Sequence, residues 1–215
     1  MTTMALLALG LLAAPIQTWL MLGGDFGEYL RFDTLRGQEL YVLSKPCALL
    51  AIELLWLQAL LGLLRPGMVR SGWLGAAAWR RWHRGLGIAA LAAMLAHVAL
   101  FVVAASLRNK AAAVDLLWPW GHGVYRSWVA VGAAALWMII AAATVQFARL
   151  FVPVLRRWVH LLALAAVVPV ALHSLMIGSE ARSGAMAGVY ALMGASLAAA
   201  VLWRFTGGRA ALNGR

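Results

Sequence analysis

The sequence predicts an all-α membrane protein: a six-transmembrane-helix bundle forming one domain over residues 1–215, with the N- and C-termini cytoplasmic. Three observations carry that expectation. The chain is 64% hydrophobic and 12% charged, whereas a soluble domain is about half apolar and about a quarter charged. Six apolar runs of membrane-spanning length follow one another, separated by short polar connections. The arginines collect at the ends of those runs, where charge sets topology.

The first run covers residues 4–22. No positive charge precedes it and it is long enough to span, which favours a retained helix over a cleaved signal peptide. Residues 23–45 are polar and hold Asp25, Glu28, Asp33 and Glu39, consistent with a short surface helix. The second run, 46–64, opens on Pro46 in its first turn and is expected to end at Arg65-Pro66-Gly67. The third covers 82–105; an aromatic loop follows, Trp118-Pro119-Trp120-Gly121-His122-Gly123-Val124-Tyr125. The fourth, fifth and sixth cover 127–147, 158–177 and 187–205, and the tail after Gly207 is short and polar. With no long polar segment, the chain is expected to hold no soluble catalytic domain.

Charge orients the bundle. With six spans, Arg65, Arg70, Arg80, Arg81, Arg84, Arg149, Arg156, Arg157, Arg204, Arg209 and Arg215 share one side, which carries no acid. The other side has seven cations and six acids. The positive-inside rule places the first side in the cytoplasm. The net charge of +11 is therefore a topology signal, and nucleic acid is not an expected partner. Cys47 is the single cysteine, which excludes an intrachain disulfide, a Cys-pair metal site and covalent c-type haem attachment.

Four of the five histidines fall in two related segments. Arg80-Arg81-Trp82-His83 runs on to His97, and Arg156-Arg157-Trp158-Val159-His160 runs on to His173. The far histidine lies 17 residues from the first arginine in both, while the near-to-far spacing is 14 and 13. Ionisable groups inside a span are costly and mark function, and neutral imidazole is an axial ligand for haem iron. Fourteen helical residues rise about 21 Å and return to within about 40° of the starting face. That suits two haems stacked across a core of about 30 Å. A spacing of 13 leaves a regular helix about 140° off-face, so the fifth helix is expected to be irregular between Ala165 and Pro169. A metal-ion transporter, its path lined by the histidines, is the rival of a different class. Such paths generally use carboxylates too, and Glu53 is the one acid within a span. A non-catalytic membrane scaffold is a third reading.

Two histidine pairs at these spacings, on the third and fifth of six helices, resemble the ferric reductase-like transmembrane domain shared by NADPH oxidases and ferric-chelate reductases. Trp82-His83-Arg84-Gly85-Leu86-Gly87 looks like that family's His-Arg-x-Leu-Gly start to the third helix. The likeness spans the six-helix region, and its specific motifs lie in two helices. It implies two non-covalent b-type haems, an inner one on His83 and His160 and an outer one on His97 and His173. The oxidases and reductases continue into a flavin and nicotinamide domain, which is not expected in this chain. Electrons are then expected from a separate cytosolic flavin reductase or from quinol. A stand-alone bacterial relative is the haem subunit of the periplasmic methionine sulfoxide reductase system, similar in length and helix count. The near histidine of the third helix is not part of its pattern, so the full di-haem arrangement is the better match.

The sequence reading is therefore an electron-transfer subunit of an oxidoreductase system, multi-pass in the bacterial inner membrane. Electrons pass outward to dioxygen, a ferric chelate or a periplasmic redox partner. Arg80, Arg81, Arg84, Arg156 and Arg157 are candidates to pair with inner-haem propionates, or they serve topology alone. Trp82 and Trp158 read as interfacial residues. His122 with Arg126 could bind at the outer haem, although a solvated loop histidine is the simpler account. Glu53 marks a proton or quinol site, or bonds a neighbouring helix. Met94 and Met176 read as packing.

Overall fold

The computed structural model describes residues 36–148, 153–178, 180–182 and 184–213. The predicted span at 4–22, and the surface helix expected after it as far as residue 35, lie outside the described residues. Among the described residues every regular element is helical. The helices are α1 (Gln38–Arg70), α2 (Ala76–Asn109), α3 (Val124–Ala148), α4 (Pro153–Ala165), α5 (Val167–Ile177) and α6 (Gly184–Asn213), with short 3-10 turns at Val114–Leu117 and Glu180–Arg182. Five segments are long and apolar enough to cross a membrane, with α4 and α5 supplying one of them as His160–Ile177. The most apolar stretch of α2 has a mean hydropathy of 2.5, yet only 11% of it is buried. An apolar helix so little covered by protein needs lipid around it.

The helices outrun the apolar runs. Residues 38–45 belong to α1, and Pro66 does not end it. A proline forfeits one hydrogen bond, but the ladder resumes, with the Ser71 N–H reaching the Gly67 carbonyl at 2.9 Å. Gly67 also admits an indole: a Cβ there would stand 2.9 Å from Trp203 Cη2, so α6 packs over this end of α1. At the other end of α1, Gly37 caps it at φ +78, a conformation that favours glycine. A Cβ at Gly37 would lie 3.0 Å from the Ala104 backbone on α2. α2 itself starts six residues before its apolar run, because Ala76 to Arg81 are good helix formers.

The fifth predicted span is interrupted. α4 ends at Ala165, Ala166 is a turn, and α5 begins at Val167. The Ala166 N–H still bonds Leu162 and the Val170 N–H bonds Ala166. Pro169 has no N–H to give Ala165, and its ring crowds that carbonyl, which puts the break where the spacing argument expects it.

α1 is the central element. It packs along α2, and against α6 and α5. One buried cluster joins Leu49, Ile52 and Trp56 of α1 to Met186, Val189 and Met193 of α6. A second joins Leu54 and Leu55 to Ala90 of α2 and Val167 of α5. The Trp56 indole N–H donates to Ser196 Oγ at 3.0 Å across the α1–α6 contact. α3 packs on α4 and α5, whereas α2 makes little direct contact with either.

Candidate functional site

The space between α2 and α5 is a slot with α1 and α3 as its side walls. Its volume is about 180 Å³, and it is open on one side. Along α2 it runs from Gly87 to Val102, 15 residues or about 22 Å of helix. The lining is mostly apolar, and small residues stand where helices would otherwise close on each other: Ala48 and Ala51 of α1, Gly87 and Ala90 of α2, Gly132 and Ala133 of α3. His97 and His173 face into it from opposite walls.

Both far histidines are held in the same way. His97 Nδ1–H donates to the Ser44 carbonyl of α1 at 2.9 Å. His173 Nδ1–H donates to the Trp128 carbonyl of α3 at 2.7 Å. A carbonyl only accepts, so each neutral ring carries its proton on Nδ1 and keeps a lone pair on Nε2. Metal-bound histidines are held in this way, with the second ring nitrogen tied to a backbone carbonyl. Each carbonyl already serves the helical bond of the residue one turn on, and that residue must be small to let an imidazole in. It is Ala48 after Ser44 and Gly132 after Trp128. A Cβ at Gly132 would meet His173 Nδ1 at 2.5 Å and Cε1 at 2.7 Å.

The near histidines meet one turn beyond the Gly87 end of the slot. The His83 and His160 rings have centroids 5.8 Å apart at an interplanar angle of 70°. Two imidazoles ligating one metal ion from opposite sides, each nitrogen at about 2 Å, have ring centres about 6 Å apart. The near pair therefore already stands at a bis-ligand separation. His83 stacks on Trp79, with centroids at 4.8 Å and planes at 15°. The Arg65 guanidinium lies over the same indole at 4.8 Å, and the indole N–H donates to the Leu61 carbonyl at 2.8 Å. His83 Nδ1 is buried without a hydrogen-bond partner among the described residues, although the Gln58 backbone is within electrostatic reach. A Cβ at Gly62, one turn on from Gln58, would only touch the ring, 3.5 Å from His83 Cε1. His160 is exposed.

The predicted supporting residues separate. Arg80, Arg81 and Arg84 are exposed around the near pair, while the side chains of Arg156 and Arg157 lie outside the described residues. Trp82 and Trp158 are exposed, as interfacial residues are. His122 is exposed and does not line the slot. Arg126 is engaged by Asp115 in an exposed ion pair, which holds the Asp115 carboxyl below the usual carboxylate range. Met94 lines the slot and Met176 is exposed. Composition did not point to the rim at the Val102 end of the slot, where Tyr41, Tyr125 and the Lys45–Glu180 pair line it, the pair at 2.6 Å. Trp79, three residues before Trp82, is a further site residue whose stacking on His83 no spacing marks.

Among the described residues no three or more of His, Cys, Asp and Glu come together as a metal cluster. The histidines meet only in pairs, and a pair suffices where a macrocycle supplies the remaining donors of an iron. The slot is also far larger than a single ion needs. The far pair, its two Nδ1 anchors and the glycine cradle at Gly132 thus fit one axially ligated haem in the slot. The chain matches no family model, no curated protein and no solved structure.

Proposed function

We propose that this chain is a di-haem b-type cytochrome of the bacterial inner membrane, with six spans and both termini cytoplasmic. In this reading it carries electrons from a cytoplasmic flavoprotein or quinol to an acceptor on the outer side. That acceptor is dioxygen, a ferric chelate or a periplasmic redox enzyme. The observation that carries the reading is the convergence of His97 and His173 on one slot, each with Nδ1 tied to a backbone carbonyl. His83 and His160 would hold the inner haem and His97 and His173 the outer one. The haems supply one-electron chemistry when bound. The chain's own work is to fix the imidazoles, exclude water from an apolar slot and keep the two centres at a fixed separation. A histidine-lined ion path fits less well, because no carboxylate joins either pair among the described residues.

A reduced-minus-oxidised visible spectrum of the purified protein tests this. A b-type signal equal to two haems per chain is expected. It should fall to one haem in His97→Ala or His173→Ala. A colourless purified protein would refute the proposal.

A further inference from the structure

The charge that lines the slot lies at one end of it. Among the described residues lining it, Lys45 and Glu180 are the only charged side chains, and they meet each other at 2.6 Å. Lys45 follows Ser44, whose carbonyl holds His97, and Glu180 lies in the turn after the helix of His173. The Tyr41 ring lines the same end. Two cations stand over it, Lys45 Nζ at 5.2 Å and the Arg108 guanidinium at 5.5 Å from its centre. Arg108 itself donates to a neutral amide, Gln38 Oε1, at 2.8 Å. Ring contacts lead from here to the far pair: Tyr41 to Phe101 at 6.3 Å, and Phe101 to His97 at 6.2 Å.

The rest of the lining offers no counterpart. At the Gly87 end the polar side chain is Gln58, a neutral carboxamide lying against the Gly87 backbone. The Ser44 and Ser174 hydroxyls are engaged by the Tyr41 carbonyl and the Tyr190 hydroxyl. Glu53, buried in α1, does not line the slot. His97 also stands nearer the charged end: Val102 is five residues on, about 7.5 Å of helix, whereas Gly87 is ten residues back, about 15 Å. A ligand with an apolar body and carboxylates along one edge fits such a slot in one direction. An unpaired carboxylate in an apolar interior is very costly, and ammonium and guanidinium groups pair with it.

We propose that the Val102 end of the slot is a carboxylate-binding rim, in which Lys45, Arg108 and the Tyr41 hydroxyl receive the propionates of the haem held by His97 and His173. This rests on the haem reading above. The Lys45 ammonium has three N–H donors, so it serves Glu180 and a propionate together. Glu180 is the opposing charge of the rim: it places Lys45 and repels a carboxylate beside it. The apolar edge of the haem is then turned toward Gly87 and the near histidines.

Resonance Raman spectroscopy of the haem-loaded protein tests this. The propionate bending band that disappears in His97→Ala belongs to this haem. It should shift in Lys45→Met and in Arg108→Gln and stay in place in Gln58→Leu. Transfer of this haem to apomyoglobin should quicken about tenfold in Lys45→Met, the worth of one hydrogen bond to a charged group, and less in Lys45→Arg. A protein that binds no haem defeats the reading of the preceding section. A haem on the far pair whose band moves in neither Lys45→Met nor Arg108→Gln, or moves in Gln58→Leu, overturns this inference alone. If Lys45→Met does not accumulate, Arg108→Gln, at an exposed residue, decides by the same band.

Discussion

The hold on His173 can be tested with one methyl group. In Gly132→Ala the added Cβ would stand 2.5 Å from Nδ1, 2.7 Å from Cε1 and 2.9 Å from Cγ of the imidazole. Comfortable contacts are about 3.5–4.0 Å, so the ring must withdraw by about 1 Å. That breaks the 2.7 Å bond to the Trp128 carbonyl, a loss of about 1 kcal/mol. Overpacking adds about 1–3 kcal/mol, and alanine's better helix propensity returns about 1 kcal/mol. The net destabilisation, about 1–3 kcal/mol, leaves a folded protein. Ligation suffers more, because a 1 Å displacement is about half of a metal–nitrogen bond. The expected result is a drop from two haems per chain to one, measured by pyridine haemochrome against protein. Gly194→Ala is the control: nothing lies within 4 Å of a Cβ there, and both haems should remain. Two haems with an unchanged ligand-field spectrum in Gly132→Ala would refute the carbonyl anchor as the device that orients His173.

Two further outcomes follow from the described geometry. Pro169→Ala should make the α4–α5 segment more helical, since an interior proline costs a helix about 3 kcal/mol. It should nevertheless weaken haem binding, because a regular helix turns His173 about 140° from the face of His160; unchanged haem content alongside increased helicity by circular dichroism would sink that argument. The exposed Asp115–Arg126 pair lowers the carboxyl pKa, so its stabilisation is present above the unfolded value and is lost as pH falls through the lowered folded value. Thermal melts of wild type and Asp115→Asn should differ slightly at neutral pH, converge in acid and converge in high salt; a gap that persists in acid would contradict this.

The sequence made the spans and the histidine pairs readable because both depend on periodicity and hydropathy. The break near Pro169 was readable for the same reason: a 13-residue interval conflicts with a regular helix. Helix ends were less legible. Apolar runs mark where lipid lies, while α1 and α2 continue past it on the propensity of residues such as Ala76 to Arg81. The anchors of His97 and His173 could not be seen, since a backbone carbonyl has no letter of its own. Their trace in the sequence is indirect, a small residue one turn after the acceptor, and Ala48 and Gly132 look ordinary among so many alanines and glycines. Trp79 was missed for a related reason. An indole beside an Arg-Arg-Trp triplet reads as an interfacial residue until its ring is found stacked on His83.

The packing would give a group held by His97 and His173 a structural weight beyond the proposed electron transfer. α1 is joined to α2 and α6, while α3 is joined to α4 and α5. Between these groups the described contacts are the cluster around Val167 and Ala90, Val170 and Ala171 against the α1–α6 core, the Ser174–Tyr190 hydrogen bond and the Lys45–Glu180 pair. The slot separates α2 from α5 beside them. Interiors are otherwise packed as densely as organic crystals, and here small side chains line a gap that larger ones could have closed. A group ligated jointly by His97 and His173 would therefore tie the two halves together. By mass action a ligand present at 100 times its dissociation constant adds about 2.7 kcal/mol to stability, comparable to or greater than the overpacking penalty estimated for Gly132→Ala. On this account the loss of one far histidine would loosen the bundle itself, and haem content and melting temperature would fall together across substitutions at His97, His173 and Gly132.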